Sequence, residues 1–319
     1  MRTAVAALAV AMAVAVAGTA QADYPDRPIT VVVPFGAGGG TDTVARVIAD
    51  PMGEKLGQRV IIENRGGANG ALGASAVARA EADGYTLLMT TSTTHAANPS
   101  LMRQLTYDPV ADFAPIARIG YFPFILAVGK DVPAQTVQEL VDYAKAHPGE
   151  LTYAHWQATT IVAGNSFNHT AGVDTLGVAY KGTTPAVTDV LGGRVSMIFI
   201  DIPSGKAHIE AGSLRPLAVT TAERSSIMPD LVSLNEAGLK GYDISSWMGF
   251  YAPAGTPEPI VEKLNAAVTE VLAMPAVKAR LAQLGFDVSP TSAAELADYT
   301  RTEIDRWRGL ITAAGIEPQ

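Results

Sequence analysis

Apolar residues fall in short β-branched runs separated by longer stretches of helical periodicity. The first run, Ile29 to Val33, has the make-up of a buried strand, and Val44, Val47, Ile48, Met52 and Leu56 then mark one face of a helix that stops at Gly57. Val60, Ile61 and Ile62 predict a second strand, small residues through Val77 and Ala80 a second helix, and Thr86 to Met89 a third strand after Asp83-Gly84. This βαβαβ succession implies a parallel sheet with helices on its faces. A second set of strands is predicted at Phe124 to Val128, Leu151 to Tyr153, Leu176 to Tyr180, Met197 to Ile200 and Leu217 to Val219, separated by helical patterns such as Val137, Leu140, Val141 and Ala144. The remainder reads as helices. Ile260, Leu264, Val268, Val271 and Leu272 share a face, and Ser292-x-x-Glu295 is a capping box ahead of Leu296, Thr300, Ile304 and Trp307. If these helices pack back on the first sheet, the chain crosses twice between two α/β domains, near Gly120 and near Thr220, with a hinged cleft between them.

Composition and the first residues set limits on this picture. Arg2, an Ala- and Val-rich stretch to about Gly18 and the small-x-small run Ala20-Gln21-Ala22 predict an export signal cleaved after Ala22. Its apolar stretch of about 15 residues is short of the roughly 20 that span a bilayer. The expected mature protein is soluble and lies outside the cytoplasmic membrane, with no membrane insertion. About 300 residues remain, more than one core usually holds. The expected division is residues 1–22 as signal, 23–120 and 222–319 as the first domain, and 121–221 as the second. A formal charge of −8 argues against a nucleic-acid partner. The absence of cysteine removes disulfides and thiolate catalysis, and neither a G-x-S-x-G elbow nor an H-E-x-x-H motif occurs. No catalytic residue, cofactor or metal is expected.

The chemistry points to the turn after the first strand, Pro34-Phe35-Gly36-Ala37-Gly38-Gly39-Gly40-Thr41-Asp42. Glycines let a ligand approach the backbone, and the free N–H groups of the following helix face negative charge. A dinucleotide enzyme is the sharpest rival, with Glu63 at the end of the second strand as its ribose acid. Against it, the turn lacks a clean G-x-G-x-x-G, and Asn64-Arg65 follow Glu63 at once. A second polar turn runs from Thr90 to Pro99 after the third strand. Ligands of open α/β sheets bind outside the carboxyl ends of strands, so both turns can share one crevice. The candidate contacts there are Phe35, Gly38, Gly39, Thr41, Asp42, Ser92, Thr93 and His95, with Thr41, Ser92 and Thr93 as hydroxyl donors and Asp42 as helix N-cap or pocket wall. From the second domain come His155, Trp156, Thr159, Thr160, Tyr180 and Asp201, the last lining the cleft or capping the next helix. Trp156 is read either as core or as an aromatic wall that would favour an aromatic acid. Lys181 is a further possible charge. Trp247 and Trp307 are left to packing.

In their order and spacing, Val32-Val33-Pro34-Phe35 with the glycines to Asp42, Val60 to Arg65, Asp83-Gly84-Tyr85-Thr86, Asn98-Pro99, Tyr180-Lys181-Gly182, Leu191-Gly192-Gly193 and Ala252-Pro253-Ala254-Gly255-Thr256-Pro257 carry a family likeness. The sequence resembles the Bug-type solute receptors of tripartite tricarboxylate transporters over nearly the whole mature chain. The resemblance implies an α/β, two-domain periplasmic-binding-protein fold of type II-like form with two hinge crossings. It also implies a carboxylate held by the turns after strands one and three, and delivery of that small organic acid to membrane permease subunits. A monomer is expected. The chain departs from the family at His155-Trp156-Gln157 and at Ile161 to Asn165, where relatives usually carry a Gly/Ser-rich turn, a His-Leu pair and a Glu. That departure favours an aromatic carboxylate such as terephthalate slightly over aliphatic di- and tricarboxylates. A sensor that hands the ligand to a membrane signalling protein would share the same pocket.

Overall fold

The computed structural model describes residues 24–225 and 227–318, so the expected export signal at 1–22 lies outside the described residues. Strand β1 (Ile29–Val33) is almost wholly buried, as its unbroken β-branched run requires. Helix α1 (Gly40–Leu56) lays Val44, Ala45, Ile48, Met52 and Leu56 against the sheet and ends at Gly57 in the left-handed conformation. Strand β2 (Val60–Asn64), helix α2 (Ala71–Ala78) and strand β3 (Thr86–Thr91) complete the predicted unit, with β1 parallel to both its neighbours. The expected turn at Thr90 to Pro99 is more ordered than a turn. Thr90 and Thr91 finish β3, a single π-helical turn spans Thr93–Ala97, and the short helix α3 (Asn98–Leu101) follows.

Strand β4 (Phe113–Gly129) is the spine of the molecule and starts eleven residues before the predicted Phe124. Then come α4 (Val137–Ala146), β5 (Thr152–His155), α5 (Ala158–Ala171), β6 (Leu176–Ala179), α6 (Thr183–Leu191), β7 (Met197–Asp201), α7 (Ile202–Glu210) and β8 (Leu214–Val219). The expectation that the remainder is helical is corrected by strand β9 (Ser245–Pro253), which inserts antiparallel between β3 and β4 at the centre of the first sheet. Its near-complete burial removes the polar alternation that marks a half-exposed strand. Helices α8 (Glu258–Ala273) and α9 (Pro275–Gln283), the two-residue strand β10 (Asp287–Val288) and helix α10 (Ala293–Ala313) end the chain. Helix α10 carries the predicted capping box between Ser292 and Glu295. Trp247 and Trp307 are buried, as expected.

The strands run β2-β1-β3-β9-β4-β7-β5-β6, with β8 and β10 also on β4. Residues 113–123 of β4 pair with β9, whereas residues 124–129 pair with β7 and β8. One continuous strand therefore joins two α/β halves. The return crossing is at Thr220, whose N–H donates to Phe124 O at 2.9 Å and whose carbonyl accepts from Ile244 N–H at 2.8 Å.

Candidate functional site

The glycine-rich turn is fastened by Asp42. Gly38, with φ at 82°, turns its N–H onto Asp42 Oδ2 at 2.9 Å. Asn64 Nδ2 donates to Asp42 Oδ1 at 3.0 Å and to Phe35 O at 3.1 Å, and Arg46 Nε donates to Oδ2 at 3.0 Å. Burial alone would raise the Asp42 pKa, but the bonds from Arg46, Gly38 and Asn64 outweigh it and hold the carboxyl below its ordinary value. This corrects the expectation of an N-cap. Gly39 is the capping position, Asp42 is the third residue of α1, and its oxygens are taken up inside the turn. The first α1 bond runs from Thr43 N to Gly39 O at 2.9 Å. The N–H groups of Gly40, Thr41 and Asp42 are thus left without helical acceptors, facing out of the helix.

The end of β3 adds a set of hydroxyls. Ser92 Oγ lies 2.7 Å from Ser246 Oγ on β9 and 3.4 Å from Thr159 Oγ1 at the start of α5, so one hydroxyl chain crosses between the halves. Ser246 was invisible to a reading that expected no strand there. Thr93 N–H donates to Thr91 Oγ1 at 3.2 Å, while the buried Thr93 Oγ1 has no protein partner. Buried hydroxyls are rarely left unpaired, which makes Thr93 a donor in waiting for ligand or water. Thr160, by contrast, is used by its own turn. Its hydroxyl accepts from Trp156 N at 3.1 Å and donates to Gln157 O at 2.9 Å.

Two loops of the second half close on this turn. Thr183, at the start of α6, sets its Oγ1 3.3 Å from where a β-carbon of Gly39 would stand, and Thr184 Oγ1 is 3.6 Å from that of Gly38. Asp201 caps α7 by accepting from Ser204 N–H at 2.8 Å, one of its two expected roles, and it also lies against Gly40. Burial raises the Asp201 pKa, against the opposing bond from Ser204.

Between the halves, Phe35, Gly36 and the second glycine-rich turn from Gly66 to Gly70 face Trp156, Tyr180 and Lys181 across a cleft of about 520 Å³. Trp156 is 8% exposed and also packs into the core of the second half. Tyr180 donates to Asp189 Oδ2 at 2.7 Å, and burial together with that carboxylate pushes its pKa up to about 12. It therefore stays a neutral phenol.

Neither histidine joins this cleft. His95 is fully buried, with its ring centroid 4.3 Å from that of Tyr251 and 4.7 Å from that of Phe113. His155 lines a separate cavity of about 540 Å³ with Arg103, Tyr153, Asn165 and the tail at 315–318. Successive side chains of a strand alternate faces, so the step from His155 to Trp156 carries the chain from one cavity to the other. Glu63, the would-be ribose acid, is paired with Arg65. Among the described residues no group of three or more acidic or histidine side chains could hold a metal, and no helix is long and apolar enough to cross a membrane.

Residues 44–316 match the family model described as the tripartite tricarboxylate transporter family receptor. The chain belongs to this receptor family. In solved structures the receptor is similar to R. palustris Rpa4515 with adipate, at 38% identity and a TM-score of 0.91 over 93% of this chain and all of that one. It is similar to the periplasmic binding protein BugD, at 35% identity and a TM-score of 0.89 over 93% of this chain and all of BugD. It is also similar to MatC (Rpa3494) from Rhodopseudomonas palustris with bound malate, at 37% identity and a TM-score of 0.85 over 90% of this chain and all of MatC. A Bug-type periplasmic solute-binding receptor thus stands on family, fold and cleft together.

Proposed function

We propose that the receptor closes its two halves over a dicarboxylate with a flat apolar body, of which terephthalate is the simplest example, and performs no chemistry on it. The observations that carry this reading are the cleft walled by Phe35, Trp156 and Tyr180 and, further along the turn that Phe35 opens, the free N–H groups of α1. One carboxylate sits on the amides of Gly40 to Asp42 with Thr41, Ser92 and Thr93 as hydroxyl donors. The other lies towards the exposed Lys181 at the rim. Charge-assisted hydrogen bonds contribute roughly 1.5 to 3 kcal/mol each. A few of them account for the roughly 8 kcal/mol of micromolar binding after the cost of ordering. The closed receptor, a monomer cleared of its signal, then delivers the acid to membrane permease subunits.

Aliphatic dicarboxylates are the second reading, favoured by the likeness to Rpa4515 with adipate and to MatC with malate. A thermal-shift series of the purified receptor with terephthalate, adipate, malate and citrate separates the two. Terephthalate is expected to raise the melting temperature most. Stabilisation by the aliphatic acids alone rejects the aromatic preference, stabilisation by none rejects carboxylate capture, and turnover of any of them restores an enzyme. Replacing Trp156 by leucine keeps an apolar wall and removes the flat ring. Calorimetry is expected to give about a tenfold loss for terephthalate and less than about a threefold loss for adipate.

A further inference from the structure

Of the three consecutive glycines facing the second half, only Gly38 needs glycine for its backbone, its φ being 82°. Gly39 has an ordinary extended conformation with φ at −79°, and Gly40 is the first residue of α1. Alanine in a helix is normally better than glycine by roughly 0.5 to 1 kcal/mol. Conformation therefore does not explain Gly40, but space does. A β-carbon there would stand 2.8 Å from the Asp201 carboxyl carbon and 3.2 Å from Oδ2, well inside the 3.5 to 4.0 Å (roughly) of favourable carbon contact. Asp201 is not free to swing away. It is 3% exposed, and its Oδ1 is held by Ser204 N–H.

The two residues come from opposite halves. Gly40 follows β1, whose neighbours are β2 and β3, and Asp201 ends β7, which pairs with β4 and β5. We infer that Gly40 is the socket and Asp201 the stop of domain closure, so that this pair fixes how far the second half settles onto the amide cradle of α1. Asp201 is a positioning residue in this role. The inference rests on capture of a carboxylate by closure, and it adds the contact that defines the closed state.

A double-mutant cycle tests it, read by calorimetry with terephthalate and adipate and by small-angle scattering of the ligand-free protein. Gly40→Ala is expected to weaken binding about tenfold or more and to expand the ligand-free protein, with an unchanged or higher melting temperature. Serine caps a helix about as well as aspartate and is shorter. In the Asp201→Ser background, the same Gly40→Ala change is therefore expected to cost less than about twofold and to leave the scattering unchanged. Equal losses in both backgrounds would mean that the β-carbon disturbs the amide cradle itself, which overturns the inference, as does the absence of any loss. If the unaltered receptor binds neither acid, the capture reading fails, and the scattering arm still decides the socket.

Discussion

Lowering the pH from 6.5 to 4 is expected to cost the fold on the order of 3 kcal/mol through His95 alone. Burial pushes the His95 pKa down to about 3 from an ordinary 6.5, because the ring sits among Phe113, Tyr107 and Tyr251 with no carboxylate against it. Its Nδ1 lies 2.6 Å from Thr90 Oγ1, and its Nε2 has no protein partner. Between the two pKa values the unfolded chain binds a proton that the folded one refuses. Stability is therefore complete above pH 6.5 and declines as the pH falls towards 3, by about 1.4 kcal/mol for each pH unit. Asp42 adds a loss of its own only at lower pH, since its folded pKa lies below the ordinary carboxylate value. Urea midpoints of the unaltered protein and of His95→Phe at pH 7 and pH 4.5 isolate the histidine. The variant is expected to have the shallower pH dependence whatever its stability at pH 7, and parallel curves would show that His95 does not titrate on unfolding.

The fate of the two histidines shows where sequence reasoning runs out. Both follow strands at the end where ligands bind, which is why His95 and His155 were expected at the ligand. Position along a strand is legible in a sequence, but the side of the sheet depends on register and on what packs there. The π-helical turn at Thr93–Ala97 turns His95 inward onto Tyr251, a residue of β9 some 150 positions away whose strand was not foreseen. His155 is the last residue of β5 and faces α5 and the C-terminal tail, while Trp156 faces Phe35. The turn after β1 was more legible because its requirements are local. Gly38 needs its positive φ, and the free N–H groups of α1 follow from where the helix starts. Strand β4 was half missed for a local reason too. Pro115, Gly120 and Pro123 interrupt its apolar run, yet all three sit in one strand, with register shifts between Pro115 and Ala117 and between Arg118 and Gly120.

The partners that make the site a two-sided one were the hardest to foresee. Ser246 meets Ser92 only because β9 crosses the sheet centre, and Thr183 and Asp201 meet the glycines only because two helix starts of the second half face α1. Each of these contacts joins residues more than a hundred positions apart, and no local pattern in the chain marks them. The glycines themselves did mark one side: a run of three with only one conformational need leaves two whose missing side chains must be explained by something close by.

Replacing Thr220 by valine is expected to cost about 2 to 5 kcal/mol and to loosen the relation between the halves. The Thr220 hydroxyl is fully buried at the return crossing, where it accepts from Phe124 N–H at 3.0 Å and donates to Ile244 O at 2.6 Å. Phe124 is the residue at which β4 changes partners, and Ile244 directly precedes β9. One hydroxyl therefore ties both crossing strands at a single point. Valine is nearly isosteric, so it creates no cavity, but it leaves a buried donor and a buried acceptor unpaired, each at roughly 1 to 3 kcal/mol. Thr220→Ser keeps the hydroxyl and loses one methyl, which is expected to cost about 1 kcal/mol. Chemical unfolding should rank the three proteins in that order. Hydrogen exchange at Phe124 and Ile244 should speed up in Thr220→Val and stay slow in Thr220→Ser. A valine variant as stable as the serine one would mean that water or a backbone shift pairs those groups, and that the crossing does not depend on the Thr220 hydroxyl.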